Sequence, residues 1–338
     1  MRAVMCPRAP IEARELVYST DHPAPQPKDG HVLIRVKAFG LNRAELYARK
    51  GQLPGLSFPR IPGNEAVGIV QHAGGGLWKE GDVVAAMMGG MGVQFDGSYS
   101  EYTLVPHQFV SAAIKLPANV SWAQFAAIPV TFLTAWGILK SALKLEAGES
   151  LLIRGGSSSL GLALAALATS KSPHFGFSAS SVISSTRTEA KATILKESGA
   201  HHAVVDPPTG NISETVKKLS PNEMGVNKAV ELVGPPVLAD TMAALTPNGV
   251  VAMVGTLSNV WSMEFRPWAL LMPAKHITTF SGRSINLSTA PLQAIVDAVG
   301  SGELKLNVDK VFGIAETVDA HTYMESNAAA GKVVCLVD

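Results

Sequence analysis

From about Ser121 onward, the sequence alternates short apolar runs with longer stretches of helical pattern. Strands and helices are predicted in turn, beginning and ending with a strand, at 151–154, 160–170, 181–184, 189–198, 203–205, 213–219, 228–232, 236–245 and 250–254. Such alternation is typical of a parallel sheet covered by helices, because each parallel connection must cross the sheet. If residues 277–281 add the last strand, the pattern predicts a doubly wound sheet of about six strands.

The first third of the chain has a different pattern, in which short β-rich runs are separated by turns with glycine and proline. The runs lie at 31–38, 66–71, 82–86 and 99–105, and they predict a small barrel. The C-terminal part, with a helix at 292–299 and a strand at 332–337, is too small to stand alone and is predicted to return to the first domain. A chain of 338 residues has room for two domains, which we place at 1–122 with 273–338 and at 123–272.

Composition excludes several classes of protein. Hydrophobic residues make up 47% of the chain and charged residues 16%, and the formal net charge is +1. The chain can therefore bury a large core, and bulk charge cannot drive nucleic-acid binding. The two cysteines, Cys6 and Cys335, cannot build a thiolate zinc lobe, and they favour a reducing, cytoplasmic setting. No secretory leader is visible, and prolines interrupt the uncharged run at 116–139, which predicts a buried segment rather than a membrane span.

A glycine-rich turn follows the first strand of the alternating part and leads into a helix rich in Ala and Leu. A dinucleotide site requires this order of strand, turn and helix, because small residues let the backbone approach a pyrophosphate and the helix N-terminus stabilises its charge. Compared with the G-x-G-x-x-G fingerprint, serine replaces the middle glycine. The candidate contacts are Gly156, Ser157, Ser158, Ser159, Leu160 and Gly161. The alternative is an ordinary tight turn between a strand and a helix.

The end of the second strand indicates which nicotinamide cofactor such a site takes. NAD-binding sites place an Asp or Glu there to accept hydrogen bonds from the ribose, whereas 182–187 contains no acid. Ser185 and Arg187, with Lys191 one helical turn further on, suit a 2′-phosphate instead. We therefore expect NADPH. The alternative is that Arg187 and Lys191 are solvated residues at a helix start.

Several segments together resemble the medium-chain dehydrogenase/reductase superfamily, in particular its zinc-free quinone oxidoreductase (zeta-crystallin-like) and enoyl reductase branch. They are GLNRAE at 40–45, PGNEAVG at 62–68, EGDVV at 80–84, GSYSEY at 97–102, AIP at 127–129 and LTAW at 133–136, together with the glycine turn. They span most of the chain in the family's order, which is more specific than any one motif. The resemblance implies an α/β fold with a GroES-like β-barrel catalytic domain, a Rossmann doubly wound parallel sheet, and a cleft between them where nicotinamide and substrate meet.

Zinc-dependent members of this superfamily place a Cys ligand where this chain has Asn42 and a His ligand where it has Asn64. An Asn side chain is a poor partner for zinc compared with thiolate or imidazole, and no cysteine elsewhere supplies the lost bonds. The resemblance thus implies a mechanism without a metal ion. The nine histidines form no spaced helical pair and are interpreted as loop or surface residues.

The resemblance implies that Asn42 and Tyr47 lie under the acceptor, on a loop and a helix start. There an amide N–H and a phenol O–H can donate hydrogen bonds to developing oxyanion charge. The alternatives are a turn or N-cap role for Asn42 and a core position for Tyr47.

Further contacts to the cofactor are expected in the alternating part of the chain. By the resemblance, Thr134 lies near the nicotinamide carboxamide, with helix packing as its alternative. Gly255 and Thr256 follow a parallel strand at the edge where a cofactor crosses such sheets. Phe280 lies at the end of the expected edge strand and is assigned to the same set.

An apolar loop with many glycines, at 87–92, is a candidate wall for a flat, bulky substrate. The candidate pocket residues are Met87, Met88, Met91, Phe95 and Phe132. The alternative for this loop is packing in the core of its domain.

Without a Lewis acid to stabilise an alkoxide, hydride addition to an electron-poor alkene or quinone needs less help than hydride removal from an alcohol. We therefore predict an NADPH-dependent, zinc-independent oxidoreductase that reduces a quinone or an α,β-unsaturated carbonyl, a small-molecule substrate, with no nucleic-acid or membrane partner. The alternatives are an enoyl reductase acting on carrier-tethered chains and a catalytically silent NADPH-binding protein with a structural or sensing role. Relatives are often dimers joined through the last strand of the nucleotide domain, so a homodimer is expected by analogy.

Overall fold

The computed structural model describes residues 1–53 and 55–337. They form two compact units. The first unit comprises Met1–Val130, Ile285–Ser301 and Val308–Asp338, and the second comprises Thr131–Ser284 and Gly302–Asn307.

The strands are numbered here in chain order. They are β1 (Ala3–Met5), β2 (Val17–Ser19), β3 (His31–Gly40), β4 (Glu65–His72), β5 (Val83–Met87), β6 (Tyr102–Pro106), β7 (Ser150–Arg154), β8 (Ser181–Thr186), β9 (His202–Val205), β10 (Val226–Glu231), β11 (Leu245–Met253), β12 (His276–Thr278), β13 (Val308–Gly313) and β14 (Lys332–Leu336).

The α-helices are numbered in the same way. They are α1 (Arg43–Arg49), α2 (Trp122–Ala126), α3 (Pro129–Gly137), α4 (Ser159–Thr169), α5 (Ala192–Glu197), α6 (Ser213–Leu219), α7 (Pro235–Ala243), α8 (Pro267–Leu271), α9 (Leu292–Gly300) and α10 (Thr317–Glu325). A π-helical turn, Ile138–Ala142, continues α3.

The second unit contains a parallel sheet in the order β12-β11-β10-β7-β8-β9. Counted from its first strand β7, this is the 3-2-1-4-5-6 order of a Rossmann sheet. The strand order reverses between β7 and β10, which pair in parallel, and ligands of such folds bind outside the carboxyl ends of the strands at this switch point. The predicted α/β fold with a doubly wound sheet is confirmed.

The first unit is organised around β3, a strand of ten residues. On one side β3 pairs antiparallel with β4; on the other it pairs with β6 along its first half and with β14 at its end. β13 extends this sheet by pairing parallel with β14. The C-terminal strand therefore returns to the first unit, as the sequence predicts.

The boundaries of the units differ from those placed by sequence. The structure divides the chain at 130/131 and 284/285 rather than at 122/123 and 272/273. The first difference arises because α2 packs on β3, β4 and β14 and so stays with the first unit. The second arises because β12 pairs in parallel with β11 and so stays with the second unit.

The apolar run at 116–139 and the connection at 171–180 each have a structural explanation. The apolar run at 116–139 contains the whole of α2 and α3, with Phe125 and Leu133 fully buried. Among the residues that the structure describes, no helix has both the length and the apolar character needed to cross a bilayer. The long connection at 171–180 has no helix or strand and buries Phe175 and Phe177, which accounts for its length.

Candidate functional site

A buried polar cluster in the first unit forms where three strand ends meet. β3 ends at Gly40, and its antiparallel neighbours β4 and β14 begin at Glu65 and Lys332. Antiparallel pairing places the carboxyl end of one strand beside the amino ends of its neighbours. Asn42, which follows β3, therefore comes close to both Asn64 and Lys332, although 290 positions separate Asn42 from Lys332.

The cluster is held by short hydrogen bonds. The Lys332 ammonium lies 2.6 Å from Asn42 Oδ1 and 2.7 Å from Glu65 Oε1. Asn42 Nδ2 donates to Asn64 Oδ1 at 2.8 Å and to Glu65 Oε1 at 2.9 Å. Both amide hydrogens of Asn42 are thus engaged inside the cluster, which leaves neither for an acceptor.

Lys332 and Glu65 form an ion pair that is almost wholly removed from solvent, with exposed fractions of 2% and 1%. Burial of two charges is costly unless additional hydrogen bonds satisfy them. The second oxygen of Glu65 accepts the backbone N–H of Val130 at 2.9 Å. The residue at position 40 must be glycine, because a Cβ there would overlap Lys332 Cε and Glu65 Oε1.

Glu45 is the third charged residue of the cluster and lies in the first turn of α1. Its two oxygens accept the backbone N–H groups of Asn42 and Asn64, each at 2.9 Å. Burial raises the pKa of Glu45 to about 7, against the opposing effect of these hydrogen bonds and of Lys332, and Glu65 adds a smaller upward contribution.

The loop after β5 packs on Asn64, because β5 pairs antiparallel with β4 and ends beside its first residue. Met88 has a left-handed backbone (φ 61°), its N–H donates to Asn64 O at 2.8 Å, and its sulfur lies 4.0 Å from Asn64 Nδ2. Met87 and Met91 are buried at 2% and 1% exposure, so core packing, the alternative for this loop, describes them better.

The remaining candidate residues on the substrate side divide between the two units. In the first unit, Phe95 and the ring of Tyr47 are partly exposed and pack against the hydrophobic core. In the second unit, Phe132 is 2% exposed and therefore has little surface to offer a ligand.

In the second unit, the glycine-rich turn joins β7 to α4 as the sequence predicts. Gly155 has φ +81°, and a Cβ on Gly156 would overlap Ser184 Oγ. Gly161 packs against the Gly156 backbone, where its Cβ would lie 2.6 Å from Gly156 Cα. The turn and the helix start are thus as close as a dinucleotide fold requires.

Ser158 replaces the middle glycine without obstructing the turn. It is the N-cap of α4: its hydroxyl accepts the N–H of Gly161 at 3.2 Å and donates to Gly155 O at 2.9 Å. Because the side chain folds back into the turn, it does not block the approach of a phosphate. Ser157, Ser159 and Leu160 are partly exposed beside it.

Other features of the second unit fit a dinucleotide. Thr134 Oγ1 and Ser184 Oγ are buried and, among the described residues, have no hydrogen-bond partner, which is costly unless a ligand or water satisfies them. Gly255 lies so close to the Leu232 backbone that a Cβ would overlap it, and Thr256 is partly exposed next to it. The ring of Phe280 packs on Gly137.

The candidates for the 2′-phosphate differ in their surroundings. Arg187 is exposed, and no described residue forms an ion pair with it, whereas Lys191 is partly buried. The Ser185 hydroxyl donates to Asp206 Oδ2 at 2.6 Å and accepts the Gly155 N–H at 3.3 Å. Ser185 therefore ties the end of β8 to the turn and has no hydrogen left to donate to a phosphate.

Asp206 belongs to a second buried cluster, centred on Arg154. This arginine is fully buried, and its guanidinium lies 2.6 Å from both Asp206 and Asp240. Glu231, also fully buried, accepts the N–H groups of Val233 at 2.7 Å and Gly234 at 3.0 Å.

The charges of this second cluster are balanced in two ways. Burial raises the pKa of Glu231 to about 7, although the Thr241 hydroxyl, a backbone N–H and the nearby Arg154 oppose that shift. Arg154 offsets the charge of Asp206, so an acid close to the cofactor turn does not repel a phosphate.

Comparison with known proteins assigns both units to one family. The alcohol dehydrogenase GroES-like domain matches residues 28–118, and the zinc-binding dehydrogenase domain matches residues 198–335. The quinone oxidoreductase of Pongo abelii is 28% identical over 331 residues, covering 95% of this chain and 94% of the relative. The chain belongs to the medium-chain dehydrogenase/reductase superfamily. Within it, the similarity supports the quinone oxidoreductase branch.

Solved structures of medium-chain dehydrogenase/reductases agree with this assignment. The crystal structure of AibC superposes with a TM-score of 0.85 at 29% identity, covering 100% of this chain and 96% of that one. A mycobacterial protein, Rv1454c, complexed with NADPH, superposes with a TM-score of 0.84 at 25% identity, covering 99% of both chains.

One matched domain of the medium-chain family is described as zinc-binding, but the residues of this chain do not fit a zinc ion. Asn42 and Asn64 occupy the expected ligand positions, and the Lys332 ammonium lies against Asn42 Oδ1 and Glu65 Oε1. A second cation at this point would meet strong repulsion and poor ligands. Within 1–53 and 55–337, no group of three or more His, Cys, Asp or Glu side chains is arranged to hold a metal ion.

Sequence reasoning missed the charged partners in both clusters. No local pattern connects Lys332 with Asn42, because only the pairing of β14 with β3 brings them together. Arg154 did carry a signal: a charged side chain ends an otherwise apolar strand, and a buried charge needs partners.

Proposed function

We propose that this medium-chain dehydrogenase/reductase is an NADPH-dependent, zinc-independent oxidoreductase that transfers hydride to a quinone or an α,β-unsaturated carbonyl. The observation that carries the proposal is the first-unit cluster, in which amides and an ammonium stand where zinc ligands would be. Without a metal ion to stabilise an alkoxide, reduction of an electron-poor acceptor is the chemistry that such a site favours.

The choice of cofactor rests on the second unit. The turn from Gly156 to Gly161 would hold the pyrophosphate, and Arg187 with Lys191 would hold the 2′-phosphate. Thr134, with its unsatisfied hydroxyl, would face the nicotinamide end. When bound there, NADPH supplies the hydride. A relative of similar fold is described as complexed with NADPH, which supports the same choice.

The activity is tested by following NADPH absorbance with a naphthoquinone, an ortho-quinone, a linear enone and an enoyl thioester. We expect turnover on a quinone or the enone, unchanged after chelation of metal ions. Turnover confined to the thioester would favour the carrier-tethered enoyl reductase instead. No turnover on any acceptor would favour a silent cofactor-binding protein, and a zinc equivalent needed for activity would overturn the metal-free mechanism.

The cofactor assignment is tested with Arg187→Glu, and Arg14→Glu is the matched control on the exposed surface of the first unit. Loss of a charge-assisted hydrogen bond to phosphate should raise the Kd for NADPH at least about tenfold and leave NADH almost unaffected. If Arg187→Glu weakens the binding of NADPH and NADH equally, Arg187 does not bind the 2′-phosphate.

We also propose a homodimer joined through β12. This strand pairs with β11, and no other strand of the described chain covers its second edge. Large apolar side chains are exposed close by, including Trp268 at 82%, Met272 at 57% and Phe265 at 50%. An uncovered edge with exposed apolar side chains favours association with a second copy. Light scattering should give twice the chain mass for wild type and a monomer for Ile277→Lys; a wild-type monomer would refute the dimer.

We propose that the protein is cytoplasmic, acts on a small-molecule substrate and has no nucleic-acid partner. Cys6 and Cys335 are both buried and unpaired, and burial raises the pKa of their thiols to about 11 and about 12. Such thiols are inert, as suits a reducing compartment. A fractionation experiment that finds the protein outside the cytosol would contradict this placement.

A further inference from the structure

The orientation of the two amides in the first-unit cluster follows from the chemistry of their neighbours. An ammonium group only donates hydrogen bonds, so the Asn42 atom that lies 2.6 Å from Lys332 Nζ must be its oxygen. The Asn42 nitrogen then faces Asn64, whose nearest atom, at 2.8 Å, must be its oxygen. The hydrogen bonds therefore run in one direction, from Lys332 through Asn42 to Asn64.

This direction leaves the Asn64 nitrogen at the end of the chain of hydrogen bonds. Asn64 is only 9% exposed, and its Nδ2 has one partner among the described residues, the Met88 sulfur at 4.0 Å. A thioether is a weak acceptor. A nearly buried N–H that lacks a good acceptor is costly unless a ligand completes it.

The backbone of Asn64 is also fixed. Its N–H donates to Glu45 at 2.9 Å, and its carbonyl accepts the N–H of Met88 at 2.8 Å. Met88 holds a left-handed backbone at this point, a conformation that costs free energy and persists where the surroundings enforce it. The donor is therefore held in place before any ligand arrives, which is the property that makes a hydrogen bond effective in a transition state.

We infer that Asn64 Nδ2, and not the Asn42 amide, donates the hydrogen bond to the acceptor's oxygen as negative charge develops on it. Asn42 and Lys332 are positioning residues, since they orient the Asn64 amide without touching the acceptor. The buried ammonium at the other end polarises both amides and strengthens the terminal donor. The inference rests on the proposed function and assigns the oxyanion contact within it.

The reaction that this donor would assist is balanced as follows. Hydride addition to the β-carbon of an enone breaks its C=C π bond and leaves an electron pair on the carbonyl oxygen as an enolate. Bound NADPH would supply the hydride and become NADP⁺, and a solvent proton would add to the α-carbon. The hydrogen bond from Asn64 stabilises the enolate oxygen and transfers no proton.

The kinetic test compares Asn64→Ala with Asn42→Ala on the acceptor that wild type reduces. Removal of an oxyanion donor lowers kcat by about 10²–10³-fold with little change in KM, and we expect this loss for Asn64→Ala. Asn64→Ser, which keeps a hydroxyl donor, should recover part of the rate, and Asn42→Ala should lose less than Asn64→Ala. The matched control is Asn119→Ala, because Asn119 also donates to a carbonyl in the first unit, that of Gly300, and it should keep the wild-type kcat.

A second measurement does not depend on turnover. The carbonyl stretch of a ¹³C-labelled enone is recorded by infrared difference spectroscopy on protein loaded with NADP⁺, which cannot reduce it. A hydrogen bond to the carbonyl lowers this frequency, so wild type and Asn119→Ala should show the same downward shift, and Asn64→Ala should lose most of it.

The outcomes separate the inference from the proposed function. If wild type reduces no acceptor, the proposed function fails, and the infrared shift alone decides which amide contacts the carbonyl. If wild type is active and Asn64→Ala keeps both kcat and the shift, the inference is overturned and the function stands. Loss of the shift in Asn42→Ala with its retention in Asn64→Ala would transfer the donor role to Asn42. If kcat/KM falls equally in Asn64→Ala and Asn42→Ala, and only because KM rises, Asn64 has a structural role and is not the donor.

Discussion

Each unit of the protein contains a buried cluster in which carboxylates surround a cation, Lys332 in the first unit and Arg154 in the second, but the two clusters end differently. Arg154 in the second unit donates to two aspartates and to the Thr241 hydroxyl, which itself donates to Glu231, so its hydrogen bonds end on carboxylates that only accept. Lys332 in the first unit donates to an amide, which accepts at one end and donates at the other. The same buried positive charge thus closes one cluster on itself and leaves an N–H available in the other. The side chain that accepts from the cation, rather than the charge itself, therefore determines whether an N–H remains available to a ligand.

The largest expected effect is on the closed cluster. Arg154→Met would leave two aspartates without their buried counter-charge, and removal of one partner from a buried pair costs about 3–5 kcal/mol of the free energy of unfolding. Urea denaturation of the full chain measures this loss. The matched control is Arg266→Met, because the Arg266–Glu264 pair is exposed at 72% and 73% and should leave stability almost unchanged. Similar losses in both variants would show that the Arg154 cluster is no more important than a surface pair.

The next effect compares the two buried glutamates. In the unfolded chain Glu45 and Glu231 ionise near the ordinary value of 4.5, whereas in the folded protein each has a pKa of about 7. The folded state therefore holds these protons more tightly. Their contribution to stability is complete below pH 4.5 and is lost as pH rises through 7, on the order of 3 kcal/mol for each carboxyl.

Glu45→Gln and Glu231→Gln test this dependence one cluster at a time. In wild type the free energy of unfolding should fall between about pH 5 and about pH 8, and each substitution should remove about half of that fall. The control Glu189→Gln, at an exposed position, should leave the fall unchanged. The difference from wild type is the quantity to read, because burial lowers the pKa of His321 to about 3 and changes stability in the opposite direction below pH 6.5. Parallel curves for wild type and both variants would contradict the raised pKa values.

The smallest expected effect compares one helix cap from each unit. Ser121 caps α2 through the N–H of Gln124, and Ser158 caps α4 through the N–H of Gly161, both at 3.2 Å. Replacement of either serine by alanine should lower stability by about 1 kcal/mol. Only Ser158→Ala should also raise the Kd for NADPH, by several-fold in a fluorescence titration, because it loosens the cofactor turn. If Ser121→Ala and Ser158→Ala change the Kd for NADPH equally, Ser158 has no specific role in cofactor binding.

The fold could be predicted from sequence because its signals are local. The β/α alternation and the turn from Gly156 to Gly161 each lie within a short window, and the structure contains both. The boundaries could not be placed as well. β12 has only three residues and α2 only five, and whether such short elements join one unit or the other depends on packing with distant strands.

The candidate site was less predictable than the fold. Asn42 was identified through its position, but its hydrogen bonds are directed by Lys332 and Glu65, which the sequence places far away. Asn64 was considered only as a lost metal ligand. Which amide hydrogen is available depends on three strand ends meeting, and no periodicity along the chain records that.

The position of Lys332 in the last strand has a consequence for biosynthesis. The second unit is almost continuous in sequence. A growing chain on the ribosome can therefore fold its parallel sheet before β14, which completes the sheet of the first unit, has been synthesised. Lys332 emerges with β14, and only then can the ammonium dock beside Asn42. A nascent chain would therefore complete the turn that we propose to hold the coenzyme before Lys332 could orient the Asn42 and Asn64 amides.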